Sequence, residues 1–221
     1  MKRCVIFDLD GTLADTSGDL IAAANHCFEA MGIDERLDPA ADAGTAVRGG
    51  RAMLTLGLTR AGLMSEERVT KWYPELLSAY DAAIDVNTTM YPGAVSAVEA
   101  LLRDDYAVGI CTNKPEALAE KLLRSLGVRD LFGSMIGADT TAARKPDVLP
   151  YWTAVDQAGG RRDASLLVGD SVTDRKTSAA AGVPSILVTF AVGGEDVHVL
   201  QPEAVIDHFD ELQPKIVQLI G

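Results

Sequence analysis

Short runs of apolar residues recur along the chain, each closed by polar or glycine positions: Arg3–Phe7, Tyr106–Cys111, Ser134–Ala138, Ser165–Val168, Ser185–Thr189 and Ala204–Ile206. Between them, over Ala94–Arg103, Glu116–Leu126, Val148–Ala158 and Thr173–Ala181, apolar residues return every three or four positions, as on a helix with one buried face. Strands that are apolar throughout and alternate with helices predict a parallel sheet covered on both faces. The expected fold class is therefore α/β, with a Rossmann-like core. Gly127, Gly159 and Gly182 stand just after three of the helical segments, where a left-handed closing residue is common.

One stretch breaks the alternation. From about Ala14 to Val86 the pattern is helical with little strand signal, over Leu20–Met31, Ala43–Leu58 and Glu66–Ala83. It predicts a helical cap, residues 15–87, inserted after the first strand of a core built from residues 1–14 and 88–221. Hinges are expected near Leu13–Ser17 and Asn87–Pro92. A last amphipathic helix is expected over Phe209–Ile220, interrupted near its start by Pro214.

Parallel sheets bind ligands beyond the carboxyl ends of their strands. The residues at those ends are unusually polar. Asp8, Asp10, Gly11 and Thr12 follow the first strand, and Thr112, Asn113 and Lys114 the second. Arg144, Lys145 and Pro146 close the loop after the third, and Gly169, Asp170, Ser171 and Asp174 follow the fourth. A lone Asp-x-Asp is ordinarily a turn or surface pair, and Asp170 with Asp174 would serve a helix N-terminus. Four such coincidences on one rim are a site.

Composition narrows the chemistry. The 221 residues carry a formal charge of −12, which argues against nucleic acid or an anionic membrane surface as partner. No run reaches the roughly 18 apolar residues of a membrane span, and the first apolar run ends at Asp8, which fits no signal peptide. Cys4, Cys27 and Cys111 are too few and scattered for a disulfide framework, so buried free thiols in a soluble, cytoplasmic protein are expected.

Carboxylates converging with a lysine and a hydroxyl fit phosphoryl transfer. Three carboxylates favour a hard divalent cation, Mg²⁺, which together with a lysine neutralises charge on phosphoryl oxygens. An aspartate can attack phosphorus and form an aspartyl-phosphate. A second one two residues later faces the same side of an extended strand, where it would protonate the leaving alkoxide and activate the clearing water.

The motifs Asp8-Leu-Asp10-Gly11-Thr12-Leu13, Thr112-Asn113-Lys114-Pro115, Lys145-Pro146 and Gly169-Asp170-Ser171-Val-Thr-Asp174 resemble, in this order, those of the haloacid dehalogenase-like hydrolase superfamily. The likeness is greatest to its helical-cap branch and, within that, to phosphoglycolate phosphatases. The resemblance implies a Mg²⁺-dependent phosphatase of a small phosphorylated metabolite, with Asp8 as nucleophile and Asp10 as general acid/base. It implies that Thr112 holds the phosphoryl group with Asn113 beside it, and that Lys145 stabilises the charge. Mg²⁺ would lie on the Asp8 carboxylate, the Asp10 backbone carbonyl and Asp170, with Asp174 supporting it. Val47-Arg48-Gly49-Gly50-Arg51 resembles the family's Gly-rich substrate loop, which implies substrate binding by Arg48, Gly49 and Gly50; Arg48 stands where glycine is usual. Phe190-Ala-Val-Gly-Gly-Glu195 replaces the family's Tyr- and Asn-containing segment. A monomer or homodimer is expected.

Two alternatives remain at this stage. A sugar phosphomutase would use the same aspartyl-phosphate, but its relatives carry serine-rich second motifs rather than Thr-Asn-Lys. A phospho-accepting signalling module also places acidic residues at strand ends, without a large helical insertion.

Overall fold

Six parallel strands, in the order β5 (Ser134–Ile136), β4 (Ala107–Cys111), β1 (Lys2–Phe7), β6 (Gly160–Gly169), β7 (Ser185–Val188) and β8 (Ala204–Ile206), form the sheet at the centre of the larger part of the chain. In the computed structural model, which describes residues 1–194 and 196–221, the chain begins with β1 (Lys2–Phe7), β2 (Ala14–Asp15) and α1 (Ser17–Ala30). There follow α2 (Ala43–Ala46), α3 (Gly50–Arg60), α4 (Glu66–Ala82), β3 (Thr89–Met90), α5 (Ala94–Arg103), β4 (Ala107–Cys111) and α6 (Glu116–Ser125). The rest is β5 (Ser134–Ile136), α7 (Val148–Gln157), β6 (Gly160–Gly169), α8 (Val172–Ala181), β7 (Ser185–Val188), β8 (Ala204–Ile206) and α9 (Leu212–Ile220). Glu195, which ends the Phe190–Glu195 stretch, lies outside the described residues.

The chain divides into two compact units, Met1–Ala14 with Met90–Gly221, and Asp15–Thr89. The first is the expected α/β, Rossmann-like core. The central stretches of its strands are apolar because helices cover both faces of the sheet. Cys4 and Ile6 of β1, Ala107 and Cys111 of β4, and Leu167 of β6 pack with Tyr151, Ala154 and Val155 of α7 in one buried cluster. The Tyr151 hydroxyl, taken into that core, donates to Ser165 Oγ at 2.9 Å. All three cysteines are buried and free. Among the described residues, no helix is long and apolar enough to cross a membrane.

Two buried carboxylates, Asp42 and Asp19, organise polar contacts within the second unit. Arg60 donates both guanidinium nitrogens to the Asp42 carboxylate, at 2.8 and 2.7 Å. Asp19, in the first turn of α1, accepts from Asn87 N and Nδ2 and from Thr88 N and Oγ1 at 2.8–3.0 Å. The short strands β2 and β3 form a separate two-stranded ribbon.

Three expectations need correction. The single helix expected over Ala43–Leu58 is two, because Gly49 takes φ +90° and a side chain at Gly50 would come within 2.6 Å of Leu76. Pro214 does not interrupt the last helix: it is the third residue of α9, in the first turn, where a backbone N–H has no helical partner to lose. β6 starts five residues before the expected Ser165, at Gly160, which pairs with Lys2. Its added residues include the exposed Arg161, Arg162 and Asp163, which the apolar pattern does not reveal.

Candidate active site

The carboxyl ends of β1, β4 and β6 and the loop after β5 supply the polar cluster. β1 ends at Phe7, and Asp8 continues the ladder through its N–H to the Val168 carbonyl at 2.9 Å. The chain then turns sharply: the N–H groups of Thr12, Leu13 and Ala14 all reach the Leu9 carbonyl. Gly11, at φ +79°, permits the turn, and a Cβ there would lie 2.6 Å from Asp170 Oδ2. Thr12, buried by the turn, donates its hydroxyl to Asp170 Oδ1 at 2.8 Å across 158 positions of sequence.

Lys145 occupies the middle. Its Nζ lies 3.0 Å from Asp8 Oδ2 and 2.6 Å from Asp174 Oδ1, with 1% of the side chain exposed. Asp174 Oδ2 accepts from the Ser171 hydroxyl at 2.6 Å and from Ser171 N at 3.2 Å, while Ser171 Oγ accepts from Asp174 N, closing a capping box on α8. Gly169 makes room for this carboxylate, since a Cβ there would be 2.3 Å from Asp174 Cγ.

Thr112 is buried beyond β4, donating its N–H to Ile136 O and accepting at Oγ1 from Lys114 N at 3.2 Å. Asn113 Nδ2 donates to the Lys145 carbonyl at 3.1 Å, joining two loops of the cluster. Lys114 Nζ lies 2.7 Å from Asp10 Oδ1.

Burial dominates the electrostatics. It pushes the Asp8 carboxyl up to about 6, against the attraction of Lys145 and with the repulsion of Asp174 and Asp10. Asp170 is raised well above the carboxylate range by burial and by Asp174 and Asp8, with Thr12 and Lys145 opposing. Burial also works against the Lys145 ammonium, yet Asp174 and Asp8 more than offset it and hold the group above the usual lysine range.

Asp8, Asp170 and Asp174 each offer an oxygen within 4.8 Å of the others. These are hard oxygen donors, and four carboxylates, counting Asp10, face the two ammonium groups of Lys145 and Lys114. Three buried or half-buried carboxylates with no nitrogen or sulfur donor among them are the oxygen-only set a hard divalent cation takes. The donor set therefore fits Mg²⁺.

Arg48, Gly49 and Gly50 belong to the helical unit. Arg48 is exposed and donates Nε to the Gly44 carbonyl at 3.4 Å. Arg51 pairs with Glu66 and Thr70 and lies 5.6 Å over the Tyr73 ring.

The sequence reading assigned no separate part to Thr12, Lys114 or Ser171. Ser171-x-x-Asp174 carries a visible capping-box spacing. The pairing of Lys114 with Asp10 spans 104 positions and leaves no such mark.

A parallel α/β core with carboxylates and a lysine gathered at its strand ends fits the class of phosphate-ester hydrolases. The family model for haloacid dehalogenase-like hydrolases matches residues 5–188. The chain belongs to that family. It is 35% identical to a phosphoglycolate phosphatase of Agrobacterium fabrum over 99% of this chain and 94% of that one. It is 36% identical to one of Rhodospirillum rubrum over 96% and 90%. Among solved structures it shares its fold with a predicted phosphoglycolate phosphatase from Haemophilus somnus, at a TM-score of 0.84 and 21% identity over 96% and 97% of the two chains. It also shares it with CbbY from Rhodobacter sphaeroides in complex with phosphate, at 0.75 and 21% over 96% and 97%.

Proposed function

We propose that the protein is a Mg²⁺-dependent phosphatase that hydrolyses a small phosphate monoester of the phosphoglycolate kind through an aspartyl-phosphate. The observation that carries this reading is Lys145, buried between Asp8 and Asp174 beside the oxygen cluster of Asp8, Asp170 and Asp174. The names of the relatives supply the substrate class.

Asp8, the Asp10 backbone carbonyl and Asp170 would hold Mg²⁺, with Asp174 in support. Bound there, the ion neutralises charge on the transferring phosphoryl group. Asp8 attacks phosphorus with a carboxylate oxygen as the bond to the alcohol oxygen breaks, and Asp10 gives that oxygen its proton. Asp10 then takes a proton from the water that attacks phosphorus, and the Asp8 carboxylate departs. Lys145 keeps Asp8 ionised and aimed. The Thr112 hydroxyl binds a phosphoryl oxygen, and Asn113 braces the loop that carries Lys145.

The test is phosphate release from 2-phosphoglycolate, sugar phosphates, nucleotides and pyrophosphate, compared by kcat/KM with Mg²⁺ and with a chelator. Release from a monoester that stops with the chelator is expected. No Mg²⁺-dependent release from any of them rejects the reading.

A further inference from the structure

The second ammonium of the cluster belongs to Lys114. Its side chain is 4% exposed, and Nζ is 2.7 Å from Asp10 Oδ1. An exposed ion pair trades partners with water at little cost, whereas here the ammonium is buried and the Asp10 side chain is only 17% exposed, so the pair exchanges with water less readily. The backbone behind it is equally confined. Lys114 N–H donates to Thr112 Oγ1, and its carbonyl accepts from Ala138 N at 2.9 Å. Gly137 lies so close that a Cβ there would be 2.5 Å from Glu116 N and 2.9 Å from Lys114 O. Lys145, by contrast, is placed on Asp8 and Asp174.

We infer that Lys114 is the positioning residue of Asp10, fixing the direction of its carboxylate so that the proton passes to the leaving oxygen. The inference rests on the phosphatase reading, in which Asp10 protonates the alcohol oxygen as the phosphorus–oxygen bond breaks. A carboxylate on a one-carbon stem rotates unless something grips it, and proton transfer needs heavy atoms held about 2.6–3.2 Å apart. The anchored ammonium of Lys114 supplies that grip through Oδ1.

The readout is the dependence on leaving group. An alkoxide needs a proton as it leaves; 4-nitrophenolate does not. The ratio kcat/KM reports on steps up to the first phosphoryl transfer, so the later hydrolysis of the intermediate does not enter it. Lys114→Met is expected to lower kcat/KM about 100-fold for an alkyl phosphate and less than about tenfold for 4-nitrophenyl phosphate, the size ordinary for acid catalysis. Lys114→Arg is expected to recover most of the alkyl activity. In an Asp10→Asn background, where the Lys114–Asp10 ion pair is already gone, Lys114→Met is expected to change the ratio of the two values no further. Equal losses on both esters, or a further change of that ratio in the Asp10→Asn background, overturn the positioning role alone. A wild-type protein inactive on 4-nitrophenyl phosphate and on every ester of the panel above overturns the phosphatase reading and this role with it.

Discussion

Lys145 and Asp174 form an ion pair of 2.6 Å in which the two side chains are 1% and 0% exposed. The same ammonium holds Asp8, so two anions depend on one cation. Lys145→Met should destabilise the fold by about 3–5 kcal/mol, the usual cost of leaving a buried charge unpaired. Urea unfolding at pH 7 without divalent ions measures it. Lys145→Met with Asp174→Asn should cost less than the single change, because one of the stranded carboxylates is gone.

Asp8→Asn should abolish phosphate release and leave the fold intact. Its effect on stability has a definite sign with pH. The Asp8 carboxyl rises from its ordinary 3.8 to about 6 in the folded chain, so the fold is favoured with Asp8 protonated, and that stability is lost as pH climbs through about 6. Asp8→Asn escapes the loss. Without divalent ions it should match the wild type near pH 4 and exceed it at pH 7.5 by up to roughly 3 kcal/mol. Equal unfolding midpoints at both pH values would contradict the buried-charge account.

The helical unit has its own test in Asp19. Its carboxylate gathers four donors from Asn87 and Thr88. Asp19→Ala strands the buried Thr88 donors and should cost roughly 2–4 kcal/mol. Hydrogen exchange should show the loss in the amides of residues 84–89 more than in β1 and β4.

The thiols give a second pH-dependent outcome. Burial pushes Cys4 and Cys111 up to about 12 and Cys27, with help from Glu75, up to about 11. Native protein should resist alkylation by iodoacetamide at pH 8, while urea exposes all three cysteines. The raised values also favour the fold below pH 9.0 and cease to do so as pH rises toward 11–12, so alkaline unfolding should begin above pH 9.

The sheet was legible because each of its strands carries a short apolar run, and the candidate site because its residues follow those runs at one rim. Asp8, Thr112 and Asp170 declare themselves by position alone. The break at Val47–Gly49 was hidden because the three-residue linker interrupts a helical period without changing composition. The partners of Asp10 and Asp170 were hidden for a different reason. Lys114 and Thr12 reach them across 104 and 158 positions, and only the closed sheet brings those segments together.

β1 takes β4 and β6 as its neighbours, and both lie far downstream. On the ribosome, Lys2–Phe7 must therefore wait about 100 residues for its first partner strand, roughly 5–20 s at ordinary rates of translation. Through that interval Cys4–Phe7, the apolar part of β1 that leads into Asp8, has no ladder to join. The segment that leads into Asp8 therefore finds its place in the sheet only once residues 107–111 and 160–169 have been made.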